Sequence, residues 1–144
     1  MPYAKYTEVP VSKTRGEIEL LLERAKAKQY GTAVDYDTLT ARVQFKLHDR
    51  IVRFTVALPD KRKIGDGTRF ARAERQRWRA LLLVLKAKLE SVESQIETFE
   101  SAFLSQIVMP NDKTVADLMV PIIAESYKGG RMPKGLGPAP EDVK

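Results

Sequence analysis

The stretch from Leu39 to Leu58, LTARVQFKLHDRIVRFTVAL, alternates apolar and polar residues on both sides of His48-Asp49. Leu39, Ala41, Val43, Phe45 and Leu47 are interleaved with Thr40, Arg42, Gln44 and Lys46. Val52, Phe54, Val56 and Leu58 are interleaved with Ile51, Arg53, Thr55 and Ala57. A period of two marks strands. With His48-Asp49 as a two-residue turn, Phe45 faces Val52, Val43 faces Phe54, Ala41 faces Val56 and Leu39 faces Leu58, so both apolar sets share one face. A slip of one residue would set one strand's apolar residues against the other's polar ones, so turn length and pattern specify the same register. A shorter strand around Thr32 to Tyr36 completes an antiparallel meander. Its outer face carries Arg42, Lys46 and Arg53 among Thr40, Gln44 and Thr55. Phe45 and Phe54 point to the core, so this is not the exposed-aromatic sheet on which RNA bases stack.

On the amino-terminal side, Thr14-Arg-Gly-Glu17 reads as a capping box, and Ile18, Leu21, Leu22 and Ala25 recur at helical spacing. These predict a helix over about 14–29, with Gly31 as its stop. On the other side, Pro59 to Gly67 has the composition of a loop, and no glycine or proline follows until Pro110. Within that span Trp78, Leu82, Leu85, Leu89, Val92, Ile96, Phe99 and Phe103 keep four-three spacing, the mark of a heptad seam. A continuous helix over about 69–105 would extend roughly 54 Å at 1.5 Å per residue; a break near 91–94 would divide it in two. Thr114-Val-Ala-Asp117 opens a short last helix with an apolar stripe at Val115, Leu118, Met119, Ile122 and Ile123. Pro121 should kink or delay it and Gly129-Gly130 should end it. The expected architecture is α+β: an N-terminal helix, a three-stranded antiparallel sheet, a long heptad-patterned helix and a short C-terminal helix. It forms a single domain over 1–128, with a flexible Pro/Gly-rich tail over 129–144.

A chain of 144 residues with 43% apolar and 31% charged side chains is long enough for one core without a staple. It has no cysteine, which excludes disulfides, thiolate zinc sites and a cysteine nucleophile. There is no apolar run of signal-peptide or membrane-span character, so the expected setting is the cytoplasm, with no membrane partner. The one histidine, His48, reads as a turn residue, and a two-histidine metal site cannot be built from one copy. Ile64-Gly-Asp-Gly67 lacks the spacing and lysine of a phosphate-cradling loop. Asp35 with Asp37 reads as a turn, and Glu93, Glu97 and Glu100 as a solvated or pairing face. No catalytic, cofactor or metal site is expected, and the protein is read as non-enzymatic.

The charge is uneven. Of the formal +6, residues 60–79 contribute most, with eight basic against three acidic side chains. Arg69, Arg72, Arg75, Arg77 and Arg79 crowd the start of the long helix, against its own dipole, and an anionic partner there would compensate. Lys61, Arg62, Lys63, Arg69, Arg72, Arg75 and Arg79 are therefore the expected nucleic-acid contacts, with Arg42, Lys46 and Arg53 across a groove. The seam has two readings. It packs on the protein's own sheet and first helix, or it forms an oligomer interface through Trp78, Leu82, Leu85, Leu89, Val92, Ile96, Phe99 and Phe103. In the second reading, an antiparallel homodimer would set Arg79 against Glu100 and Lys86 against Glu93.

In order, VSKTRGEIELLLERAKAKQYG, ARVQFKLHDRIVRFTVALP, RQRWRALLLVLKAKLESVESQIETFESAFLSQIVMPNDKTV and YKGGRMP resemble a group of small phage and prophage proteins of no assigned activity. That resemblance implies a phage setting inside a host cell. A meander followed by a long basic helix is similar, in topology alone, to the β-β-β-α core of phage single-strand annealing proteins. The expected function is single-stranded DNA binding or annealing in recombination or replication. The alternative is a protein-interaction module, such as an inhibitor of a host defence factor or a small assembly component.

Overall fold

A computed structural model describes residues 7–65 and 67–136. The elements run α1 (Val11–Arg24), β1 (Gln29–Asp35), β2 (Thr40–Leu47), β3 (Arg50–Ala57), α2 (Lys61–Ile64), α3 (Thr68–Glu93), α4 (Phe99–Ala102), a 3-10 turn (Leu104–Gln106) and α5 (Val115–Gly129). The sheet is an antiparallel meander in the order β1-β2-β3, so the protein has the α+β fold its patterning predicts.

The central hairpin adopts the register its two faces demand, with Phe45 opposite Val52, Val43 opposite Phe54 and Ala41 opposite Val56. His48 and Asp49 both take positive φ, 50° and 59°, the twist a two-residue hairpin turn needs and that most L-residues resist. The His48 ring packs edge-on against Phe99 with centroids 5.0 Å apart, which helps to hold the turn. The sheet's inner face, with Val43, Phe45, Val52 and Phe54 buried, packs against Ile18 and Leu22 of α1 and Trp78, Leu82 and Leu85 of α3. Phe103 closes one end of this core. Its ring meets Phe45 and Phe54 edge-on, at 5.7 and 6.3 Å, and Phe99 at 5.0 Å. Beyond α4, Ile107 bridges to Val52 and the Val108 amide donates to the Ile51 carbonyl at 2.7 Å, so the open edge of β3 is covered.

α1 ends earlier than expected and the long helix takes its expected alternative, a break near 91–94, for one shared reason. α1 stops at Arg24 and α3 at Glu93, each in a Schellman turn without glycine. After α1, Lys26 takes φ 67°, its amide donates to Glu23 O, and the Ala27 amide donates to Leu22 O. After α3, Gln95 takes φ 62°, its amide donates to Val92 O, and the Ile96 amide donates to Ser91 O. The long helix is thus broken at 94, and Gly31 lies inside β1 rather than at a helix end. A left-handed glutamine costs on the order of 1 kcal/mol relative to glycine. Gln95→Gly is accordingly expected to raise stability by up to about 1 kcal/mol in urea unfolding, and a loss would show that the side chain is needed there.

α1 begins three residues earlier than predicted, after Pro10, with no side-chain cap. The Thr14–Glu17 capping box does not form. Thr14 lies within the helix, fully buried, with its hydroxyl unpartnered. α5, by contrast, starts on the expected reciprocal cap, Thr114 with Asp117, continues through Pro121, and reaches left-handed Gly130. Of the tail expected over 129–144, Gly129 ends α5, and residues 137–144 lie outside the described residues.

The seam is consumed by this core. Trp78, Leu82, Leu85, Phe99 and Phe103 are buried and Leu89 and Val92 pack against them, whereas Ile96, in the break after α3, is 79% exposed. Two of the four charges that an antiparallel homodimer would pair are also used within the chain. Arg79 meets Glu17 at 2.6 Å, and Arg50 meets Glu100 at 3.2 Å. A second copy would have to displace the sheet to reach these side chains, so the dimer reading of this seam gives way to the core reading.

Candidate nucleic-acid interface

The ten candidate cations fall in three places, because the sheet separates them. Its inner face holds α1 and α3, so Arg42, Lys46 and Arg53, which alternate onto the outer face, cannot form the opposite wall of one groove with Arg75 and Arg79.

The first place is the flank of α3 against α1. Arg75 and Arg79 lie on that side, where α1 and the residues before it bring carboxylates. Arg79 Nη1 donates to Glu17 Oε2 at 2.6 Å. Arg75 Nη2 lies 3.7 Å from Glu8 Oε2, and its Nε donates to the Thr7 carbonyl at 3.5 Å. Arg75 and Arg79 are therefore neutralised by the molecule's own acids, which removes them from the expected set. Neighbouring Arg15 spans to β1 through two bonds to Thr32 and stacks over the Trp78 ring at 5.3 Å.

The second place is the outer sheet face. Arg53 has its donors occupied there: Nε to Gln44 Oε1 at 2.9 Å, Nη1 to Asp112 O at 2.9 Å and Nη2 to Asp112 Oδ1 at 2.7 Å. It ties the turn at 109–113 to the sheet and holds the Asp112 carboxyl below its ordinary range. Arg53 thus serves the fold, contrary to its expected role as a phosphate contact. Arg42 and Lys46 have no ion pair among the described residues. They stand four residues apart on β2, roughly 13 Å at strand spacing. Between β1 and β2, where Gly31 offers no side chain, lies a shallow depression of about 350 Å³ lined in part by Gln29, Gly31, Arg42, Gln44 and Lys46.

The third place is the head formed by α2 and the first turns of α3. Asp60 caps α2 by accepting from the Arg62 amide at 2.9 Å, which fixes Lys61, Arg62 and Lys63 on one turn. α3 then starts at Gly67 with no side-chain cap and no acidic residue in its first turn, beside exposed Arg69 and Arg72. Its free amides and partial positive charge add to the cations. Among the described residues, Arg62, Lys63, Arg69 and Arg72 form no ion pair. Lys61 places its ammonium 5.0 Å from the Tyr36 ring centroid and 4.9 Å from that of Phe70.

Tyr36, 52% exposed, is the residue the sequence reading missed. It sits in the β1–β2 turn, which is folded by Asp35 Oδ1 accepting from the amides of Asp37 and Thr38 at 2.8 and 3.2 Å. These bonds hold the Asp35 carboxyl below its ordinary range. The Tyr36 hydroxyl donates to Glu74 Oε2 at 2.7 Å, a bond that raises its pKa and keeps it neutral. The only signal for Tyr36 in the sequence was an aromatic between two turn-forming aspartates.

Tyr36 joins the head to the outer face. A depression of about 520 Å³ is lined by Tyr36, Asp35, Ala33, Thr38, Thr40 and Arg42. A path therefore leads from Lys61 and Arg62, past Tyr36 and round the turn end of the sheet, to Arg42 and Lys46. Among the described residues, Asp35 is the one carboxylate lining that depression.

Among the described residues no group of three His, Asp or Glu side chains is placed to hold a metal ion, and no helix is long and apolar enough to cross a membrane. Comparison with known proteins finds no matching family, no similar curated protein and no similar solved structure.

Proposed function

We propose that the protein is a non-enzymatic nucleic-acid binder that grips the phosphate backbone of single-stranded DNA, in a phage setting of recombination or replication. The observation that carries this reading is the bent path of Lys61, Arg62, Lys63, Arg69 and Arg72, then Tyr36, then Arg42 and Lys46. Cations supply sequence-independent attraction, and a half-exposed ring offers one base a stacking surface. The bend selects the form of the ligand. Duplex DNA has a persistence length of about 50 nm and cannot turn the end of a three-stranded sheet, whereas a single strand can. Fluorescence anisotropy should show a labelled single strand binding more tightly than a hairpin duplex of equal charge. Equal or preferential duplex binding would overturn the single-strand assignment.

A second reading, a protein-interaction module, is favoured by α5, none of whose residues is buried. Capture of one host protein from nuclease-treated lysate, by a chain that binds no oligonucleotide, would replace the first reading with this one.

A further inference from the structure

α5 exposes an apolar stripe that the fold leaves uncovered. Ala116, Val120, Ile123 and Tyr127 follow four-three-four spacing along one side, and Tyr127 is 87% exposed. Such spacing reads the same in both directions. When two copies of the helix lie antiparallel about the midpoint of Val120 and Ile123, Val120 meets Ile123 and Ala116 meets Tyr127, each twice.

Three features of the chain suit that pairing and no other direction. The smallest side chain of the stripe lies opposite the largest, as interdigitating layers require. Asp117 and Lys128 flank the stripe on the same side, near opposite ends of the helix, so the two-fold brings the acid of each copy to the ammonium of the other. A parallel pair would hold the flank of Asp117 and Lys128 on opposite sides of the seam in the two copies, with no such match. Finally, Ala116 lines a depression of about 420 Å³ shared with Arg42, Arg53, Phe54, Thr55 and Gln106. A ring arriving over Ala116 enters that depression, beside two guanidinium groups that favour an aromatic face.

We propose that α5 docks antiparallel on α5 of a second copy, with each Tyr127 seated over the partner's Ala116. This surface is separate from the α3 seam and from the head, and it stands whether or not the protein binds nucleic acid. The seat shares Arg42 with the cation path, whose other six members lie outside it.

The absence of cysteine gives a direct test with the full chain. Chains carrying Ala116→Cys and chains carrying Tyr127→Cys are mixed under mild oxidation. The mixture should yield a disulfide-linked pair, and each variant alone should not. Light scattering of the unmodified chain should give a mass approaching twice 16.3 kDa as concentration rises, and Ile123→Arg should weaken the association by at least about tenfold while leaving the circular dichroism unchanged. A monomer at about 100 μM, a concentration at which any micromolar self-association would be nearly complete, would overturn the proposal. So would cross-linking of Ala116→Cys chains with themselves, which a parallel pair gives, or coverage of the stripe only by a host protein.

Discussion

Replacing Arg62, Arg69 and Arg72 together by glutamate should lower affinity for a single-stranded oligonucleotide by at least about a hundredfold at low salt. Each exposed arginine on a phosphate contributes on the order of 1 kcal/mol, and reversal adds repulsion to the loss. The three are exposed and make no ion pair among the described residues, so the change leaves no partner stranded. The control is on the same helix. Arg75→Gln with Arg79→Gln removes two positive charges that already face Glu8 and Glu17, and affinity should stay within about threefold, the scale of a partly screened surface pair. Equal losses in both variants would mean that the α1 flank belongs to the interface.

The second large effect concerns the core. Phe103→Ala should destabilise the protein by about 3–5 kcal/mol in urea unfolding, because its fully buried ring touches three other aromatic rings and leaves a cavity when removed. Ile96→Ala, at the other extreme of exposure in the same heptad pattern, should change stability by under about 0.5 kcal/mol. The deficit of the Phe103 variant relative to the unmodified chain should not depend on protein concentration. If the deficit vanished at high concentration, Phe103 would belong to an interface between copies.

These contrasts show where local sequence suffices. The hairpin was legible because a period of two and a fixed turn length constrain the same register, and burial on one face penalises every alternative. The end of α1 was not, and that of α3 was legible only as one of two alternatives, because the left-handed positions fall to Lys26 and Gln95, residues that do not announce a stop as glycine does. Nor could the seam's partner be read from its spacing: Trp78 and Phe103 would present the same four-three pattern to a sheet or to a second helix.

The candidate site was legible as composition and illegible as pairing. An excess of arginine in 60–79 is visible in the sequence, but which arginines remain available depends on acids far along the chain. Glu17 reaches Arg79 and Asp112 reaches Arg53 only after folding. Tyr36 became a candidate because the turn carries it beside Lys61 and Phe70. What alternation alone placed correctly was the outward set on β2, Arg42 and Lys46.

The slope of affinity against salt tests the central claim most directly. Seven cations line the path: Lys61, Arg62, Lys63, Arg69, Arg72, Arg42 and Lys46. If they neutralise about five phosphates of a single strand, log K should fall with log salt at a slope near −3.5, since each contact contributes roughly −0.7. The charge-reversed head should flatten that slope by about two, the share of three lost contacts at the same increment. A slope near zero for the unmodified chain, or one unaltered by reversal of Arg62, Arg69 and Arg72, would contradict phosphate binding at the head of α3.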